Sequence, residues 1–259
     1  MKILVIHGSL RKGKTYALTK EIMDYLLAKS DVEFIEINVS ELNLPFCTSC
    51  HICFDKGEEH CPNYDSYSVV YKELLDCDGV ILSGVTYMWA LNAAMKNLLD
   101  HLSFNFHRPK LFGKKGMVVV TSAGAGDKSV AKYLKTVLGQ WGINGAVIMT
   151  RSTKEERLVS AEKQEAKVQR IAEKFYKQLV SKQFISPTLR SIAVHNAFRS
   201  MSLSTSSECE RDTEFWKQNG YHNRAYPVKA GPKYIAGAIV FSLANFTTKI
   251  LEKKATKSN

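Results

Sequence analysis

The feature that most restricts the fold of this chain is a regular alternation of short apolar runs with longer segments of helical period. Ile3–Ile6 is an unbroken aliphatic run, the pattern of a strand buried on both faces. A Gly-Ser turn follows, then a predicted helix over Thr15–Leu27 with Leu18, Ile22, Tyr25 and Leu26 along one side. Val32–Asn38 alternates as a second strand, and Pro45 opens an irregular loop rich in cysteine. A helix over Tyr67–Leu75 precedes a third strand, Gly79–Ser83; a loop over 84–92 and a helix over Ala93–Leu102 come next. Gly116–Thr121 is the fourth strand, and glycine-rich Ser122–Asp127 opens a helix to Trp141. Ala146–Thr150 is the fifth strand, before a long helix over Ser160–Lys182. Such alternation predicts an α/β fold: a five-stranded parallel sheet, joined by right-handed crossovers, with helices on both faces. Sheets of this kind bind ligands beyond the carboxyl ends of their strands, where strand order reverses. The loops after strands one, three and four are therefore expected to converge on a ligand.

This pattern ends near Phe184, so the chain divides into a body, 1–183, and an extension, 184–259. Pro187 is expected to lead into a polar, irregular stretch, followed by a short helix over Asp212–Gln218 that ends at Gly220. Tyr234–Leu251 reads as an amphipathic helix, with Ile235, Ile239, Leu243, Phe246 and Ile250 on one face. Ser242, Asn245, Thr247, Thr248 and Lys249 interrupt it, which argues against a membrane span. The apolar run near Met1 is too short for a signal peptide. A cytoplasmic location with reduced cysteines is expected. The formal charge is +11, and about half of the excess sits in the extension. That balance suits phosphates and dinucleotides. No zinc-finger or aromatic RNA-binding motif accompanies it, so no nucleic-acid partner is expected.

The first ligand loop runs His7-Gly8-Ser9-Leu10-Arg11-Lys12-Gly13-Lys14-Thr15-Tyr16. Its glycines permit a tight turn, its hydroxyls offer donors, and the free amides of the next helix suit a phosphate. The same residues satisfy the P-loop pattern literally. A P-loop enzyme also needs a carboxylate at a later strand end for magnesium, whereas strands three and four end in Ser83 and Thr121.

Gly-Ser-x-Arg after the first strand, with Thr15 and Leu18 following, resembles the NADPH-dependent FMN reductase group of flavodoxin-like proteins. The second loop, Ser83-Gly84-Val85-Thr86-Tyr87-Met88-Trp89 with Lys96 and Asp100 in the next helix, is similar to that family's except for a missing proline. The third loop, Thr121-Ser122-Ala123-Gly124-Ala125-Gly126, has the small residues that a flat ring requires nearby. The resemblance implies that Ser9, Arg11, Lys14, Thr15 and Tyr16 hold the FMN phosphate. It also implies that Val85, Thr86, Tyr87, Met88, Trp89, Thr121, Ala123, Gly124 and Gly126 surround the rest of the cofactor. Tyr87 and Trp89 are read as flanking the ring, the alternative being core aromatics. NAD(P)H is the implied donor; the acceptor would be a quinone, a nitro- or azo-aromatic, a flavin or a protein, and a homo-oligomer is expected. No acid–base triad is evident, so no catalytic residue is assigned. A flavodoxin-like electron carrier is the second reading.

Cys47-x2-Cys50-x2-Cys53-x7-Cys61 occupies the loop after strand two. Three thiols at this spacing with a longer return suit a four-thiolate 4Fe–4S cluster better than two separated zinc knuckles. The arrangement resembles iron–sulfur flavoproteins, which implies all four cysteines as ligands. Structural or redox thiols, or zinc with His51 or His60, remain the alternatives. Cys77, just before a core strand, reads as a buried apolar residue.

Overall fold

The computed structural model describes residues 1–181, 183–203, 209–228, 234, 235 and 239. Five parallel strands make the sheet: β1 (Lys2–His7), β2 (Glu33–Asn38), β3 (Gly79–Tyr87), β5 (Lys115–Ser122) and β6 (Val147–Ser152). Two residues, β4 (Ala90–Leu91), pair antiparallel with β3. The order is β2-β1-β3-β5-β6, the flavodoxin-like arrangement, and it reverses direction between β1 and β3.

Alternation along the strands separates two cores. Leu4, Ile6, Val80, Leu82, Val118 and Val120 face α3 (Tyr64–Asp76), α4 (Ala93–His101) and α6 (Asp127–Gln140). Ile3, Val5, Ile81, Met117 and Val119 face α1 (Lys14–Leu27) and α8 (Ala161–Val180). Strands buried on both sides have no polar face to show, which is why they read as continuous apolar runs. Short helices α2 (Ile52–Asp55), α5 (Phe104–His107) and α7 (Thr153–Leu158) punctuate the loops. Cys77 is buried, as its position suggested.

Two expectations require correction. The segment over 84–92 is not an open loop: β3 continues to Tyr87 and turns straight into β4. Its Val85 lies beside Thr121 in the register with β5, so the sheet extends the strand past the apolar run. The polar stretch after Pro187 is mostly a helix, α9 (Leu189–Leu203). Its buried positions are Ser191, Ile192, His195, Asn196, Arg199 and Ser202. The helical spacing is therefore present, but polar side chains carry it, and hydrophobic periodicity cannot register them.

The expected short helix is α10 (Glu210–Gln218), followed by Gly220 in the left-handed conformation. The extension packs on the body, where Asn144 Nδ2 donates to Tyr226 Oη at 3.1 Å and Phe112 meets the Tyr226 ring edge-on. Apart from residues 234, 235 and 239, the expected helix over Tyr234–Leu251 lies outside the described residues. Among those described, no helix is long and apolar enough to cross a membrane.

Candidate functional site

The carboxyl ends of β1, β3 and β5 meet at the switch point through hydrogen bonds between residues far apart in the chain. Gly8 N donates to Ser83 O at 2.7 Å, which joins the first loop to β3. A Cβ on Gly8 would lie 2.8 Å from Met95 Cβ, so only glycine permits this approach. Asn92 stands at the N-cap of α4, yet it does not cap the helix. Its amide donates to Gly8 O at 2.6 Å, and Asn92 Oδ1 is buried without a partner among the described residues. Sequence reasoning passed over Asn92; its only local signal is an asparagine before a helix, which ordinarily reads as a cap.

Buried hydroxyl pairs stitch the floor of the site. Thr15 Oγ1 lies 2.6 Å from Thr121 Oγ1, and Thr19 Oγ1 lies 2.8 Å from Ser83 Oγ. Thr15 is thus turned into the core, which removes the hydroxyl that a P-loop protein would present to magnesium. Above this floor, Ser9 Oγ donates to Arg11 O at 2.9 Å, and Gly13 N donates to the same carbonyl. Helix α1 has Gly13 at its N-cap, with no side-chain cap and no acidic residue in its first turn. Its first amides and positive dipole end are available to an anion. Arg11 is exposed beside them, Tyr16 packs at 4.9 Å on the His7 ring, and Lys14 reaches across to Glu156. Burial pushes the His7 imidazole below its ordinary value, against the pull of Glu36 Oε2 at 2.9 Å.

The second loop is a two-residue hairpin whose central residues, Met88 and Trp89, have φ of 48° and 64°. Turns with two positive φ values normally carry Asn-Gly. Placing two large L-residues there costs about 1–2 kcal/mol each. The turn displays what it strains for: Met88 is 94% exposed, Trp89 72% and Tyr87 56%, so Tyr87 and Trp89 are not core aromatics. Beneath it, Thr86 Oγ1 is buried without a partner among the described residues, while Val85 is half-buried in the strand.

The third loop meets the hairpin at Gly126. With φ of 92°, its Cβ would fall 2.9 Å from Thr86 Cγ2 and 3.1 Å from Trp89 Cα. Gly124 and Ala123 are exposed, and Ser122 Oγ donates to Asp127 at 3.1 Å. A cleft of about 670 Å³ opens between Trp89, Gly124–Ser129 and the β6–α7 segment, with Lys128, Lys154 and Lys167 in its lining. The uncapped helix end, the two orphaned acceptors and the open surface over Gly124 suit a flat cofactor with a phosphate tail.

Beside this region, all four loop cysteines line one cavity of about 270 Å³ with His51, Asp100 and His101. None is disulfide-bonded. Among the described residues no three Cys, His, Asp or Glu side chains stand at metal-ligating spacing, so the thiols converge without closing. The other candidate zinc ligand, His60, is exposed and outside this lining. One face of α4 holds the first half of the loop. Cys47 N donates to Asn97 Oδ1 at 3.2 Å, Asn97 Nδ2 donates to the Leu44 and Pro45 carbonyls, and His101 Nε2 lies 2.9 Å from Pro45 O. Arg108 holds the second half, donating to Cys53 O at 2.8 Å and Glu58 Oε2 at 2.7 Å. Burial works to raise the Glu58 carboxyl, but Arg108 and Lys110 keep it below its ordinary value.

The sequence model of the NADPH-dependent FMN reductase family matches residues 1–154. An iron-sulfur flavoprotein of Archaeoglobus fulgidus is 29% identical over 231 residues, spanning 85% of this chain and 100% of that protein. An iron-sulfur flavoprotein of Clostridioides difficile is 24% identical over 85% of this chain and 99% of its own length. Among solved structures, an NADH:FMN oxidoreductase in its apo form matches with a TM-score of 0.54 and 20% identity, covering 70% of this chain and 90% of that one. An azoreductase from Bacillus anthracis matches with a TM-score of 0.55 and 15% identity, covering 68% and 99%. At such identities the structures speak for the fold. The family match takes in the three loops that meet at the switch point and more than half of the chain, which therefore belongs to the NADPH-dependent FMN reductase family of FMN-dependent oxidoreductases.

Proposed function

We propose that this oxidoreductase takes electrons from NAD(P)H onto FMN and passes them through an iron–sulfur cluster held by Cys47, Cys50, Cys53 and Cys61 to a protein acceptor. The convergence of the four thiols on one cavity carries this reading. That two relatives matched along nearly their whole length are iron-sulfur flavoproteins supports it. FMN, when bound, would supply the change from a two-electron hydride to single electrons that a cluster relay requires. The chain itself binds and orients. Ser9, Arg11, Lys14, Thr15 and Tyr16, with the first amides of α1, are proposed to hold the phosphate. For Thr15 the backbone amide does this, because its hydroxyl is engaged with Thr121.

The remaining contacts are assigned to Val85, Thr86, Tyr87, Met88, Trp89, Thr121, Ala123, Gly124 and Gly126. The exposed Met88–Trp89 turn forms one rim of the cofactor site and excludes water from one side of it. The body, 1–183, is assigned as the FMN-binding domain and 184–259 as its C-terminal extension, and a homo-oligomer is the proposed assembly.

The open arrangement of the thiols favours a second reading, a plain FMN reductase with redox thiols acting on a quinone, an azo- or nitro-aromatic or free flavin. An absorption spectrum of protein purified without oxygen, with iron and acid-labile sulfide assayed on the same sample, separates the two. Flavin bands with about four irons per chain support the relay. Flavin without iron selects the second reading, and failure to bind FMN overturns both.

A further inference from the structure

We propose that the C-terminal extension is a working part of the cysteine site: Arg108 and Asp212 are positioning residues that hold its second half, from Cys53 to Cys61. The inference rests on reading the cysteine loop as a ligand loop and adds what shapes it. The Arg108 side chain is 1% exposed, so water cannot solvate its charge. Two carboxylates replace that water, Glu58 from the cysteine loop and Asp212 from α10. Both are themselves buried. A buried cation with one partner removed is left uncompensated, and the segment holding it loosens.

The neighbouring residue makes the same connection by other means. His107 Nδ1 lies 2.6 Å from Asp212 Oδ2, and its ring sits between Phe54 and Phe198 with centroids 4.3 Å from each. Trp216 Nε1 donates to His107 O at 2.8 Å. Two consecutive residues thus fasten Cys53 and Phe54 to α9 and α10. The Cys47 end is held differently, by Asn97 and His101 of α4. Loss of the clasp is therefore felt in one half of the loop, a pattern that general destabilisation does not produce.

The test uses full-length protein purified without oxygen. Iron and labile sulfide are assayed first, any iron is then removed by chelation, and iodoacetamide alkylation rates are measured for each cysteine by peptide mass spectrometry. Asp212→Asn preserves shape and removes the charge. It is expected to raise the rates at Cys53 and Cys61 about tenfold or more, with Cys47, Cys50 and core Cys77 changed less than about threefold. Asp212→Glu, which keeps the charge, is expected to restore protection. Unchanged rates at Cys53 and Cys61, or an equal rise at Cys47, Cys50, Cys53, Cys61 and Cys77 alike, would overturn the proposal. Should Asp212→Asn not fold, Trp216→Phe removes only the bond to His107 O and is judged by the same pattern. Absence of iron in the wild type removes the cluster reading, while the alkylation pattern still decides the clasp.

Discussion

Gly126→Ala and Gly124→Ala form a matched pair that tests whether the hairpin and the third loop are one device. Each adds a single methyl to the same loop. At Gly126, φ of 92° puts an L-residue in the left-handed region, at about 1–2 kcal/mol. The new Cβ also stands 3.1 Å from the Trp89 backbone, which a side-chain rotation cannot relieve. The Met88–Trp89 turn, already strained, must shift. A total near 2 kcal/mol corresponds to a Tm lowered by about 4–8 °C for a domain of this size. At Gly124 no described atom lies within 4 Å of the added Cβ and φ is not positive, so stability should hold within about 0.5 kcal/mol. Thermal unfolding of both apoproteins gives the first readout and FMN titration by fluorescence quenching the second. Whatever part of the cost the hairpin takes by moving appears as weakened FMN binding, tenfold for about 1.4 kcal/mol. If the two variants match wild type in both Tm and FMN affinity, the coupling does not exist.

Asn92→Ala leaves Gly8 O without its donor and should cost about 1–3 kcal/mol, read as weaker FMN binding in the same titration. Thr15→Val strands the Thr121 hydroxyl at a similar cost, about 1–3 kcal/mol. Thr15→Val with Thr121→Val should recover most of it in urea unfolding, and simple additivity would contradict a mutual bond. His195 supplies a pH dependence. Burial pushes its imidazole down to about 3, and among the described residues neither ring nitrogen has a hydrogen-bond partner. Below the ordinary histidine value the unfolded chain binds a proton that the folded one refuses, so this stability is full above about pH 6.5 and falls towards pH 3, by at most about 1.4 kcal/mol per unit. Urea unfolding from pH 7 to 4 should show a shallower slope for His195→Phe, and an identical slope would rule out this origin.

The amino-acid sequence determined the layers of this molecule. Aliphatic runs and helical spacing report burial relative to the local chain, so the five parallel strands and their crossover helices were legible, as were the three loops at one edge. The same signal failed at α9, whose buried face joins Ile192 to the polar Ser191, His195, Asn196, Arg199 and Ser202. It failed again at the hairpin, because Met-Trp is not a turn sequence and only pairing with β4 forces both residues to positive φ. What the tertiary structure alone decided are the pairings that make the sites: Thr15 with Thr121 across 106 residues, Asn92 with Gly8 across 84, and Arg108 with Asp212 across 104. Each is a polar contact between segments far apart in the chain. Its strength comes from being buried between them, and that burial exists only once the sheet has formed and the extension has packed against it.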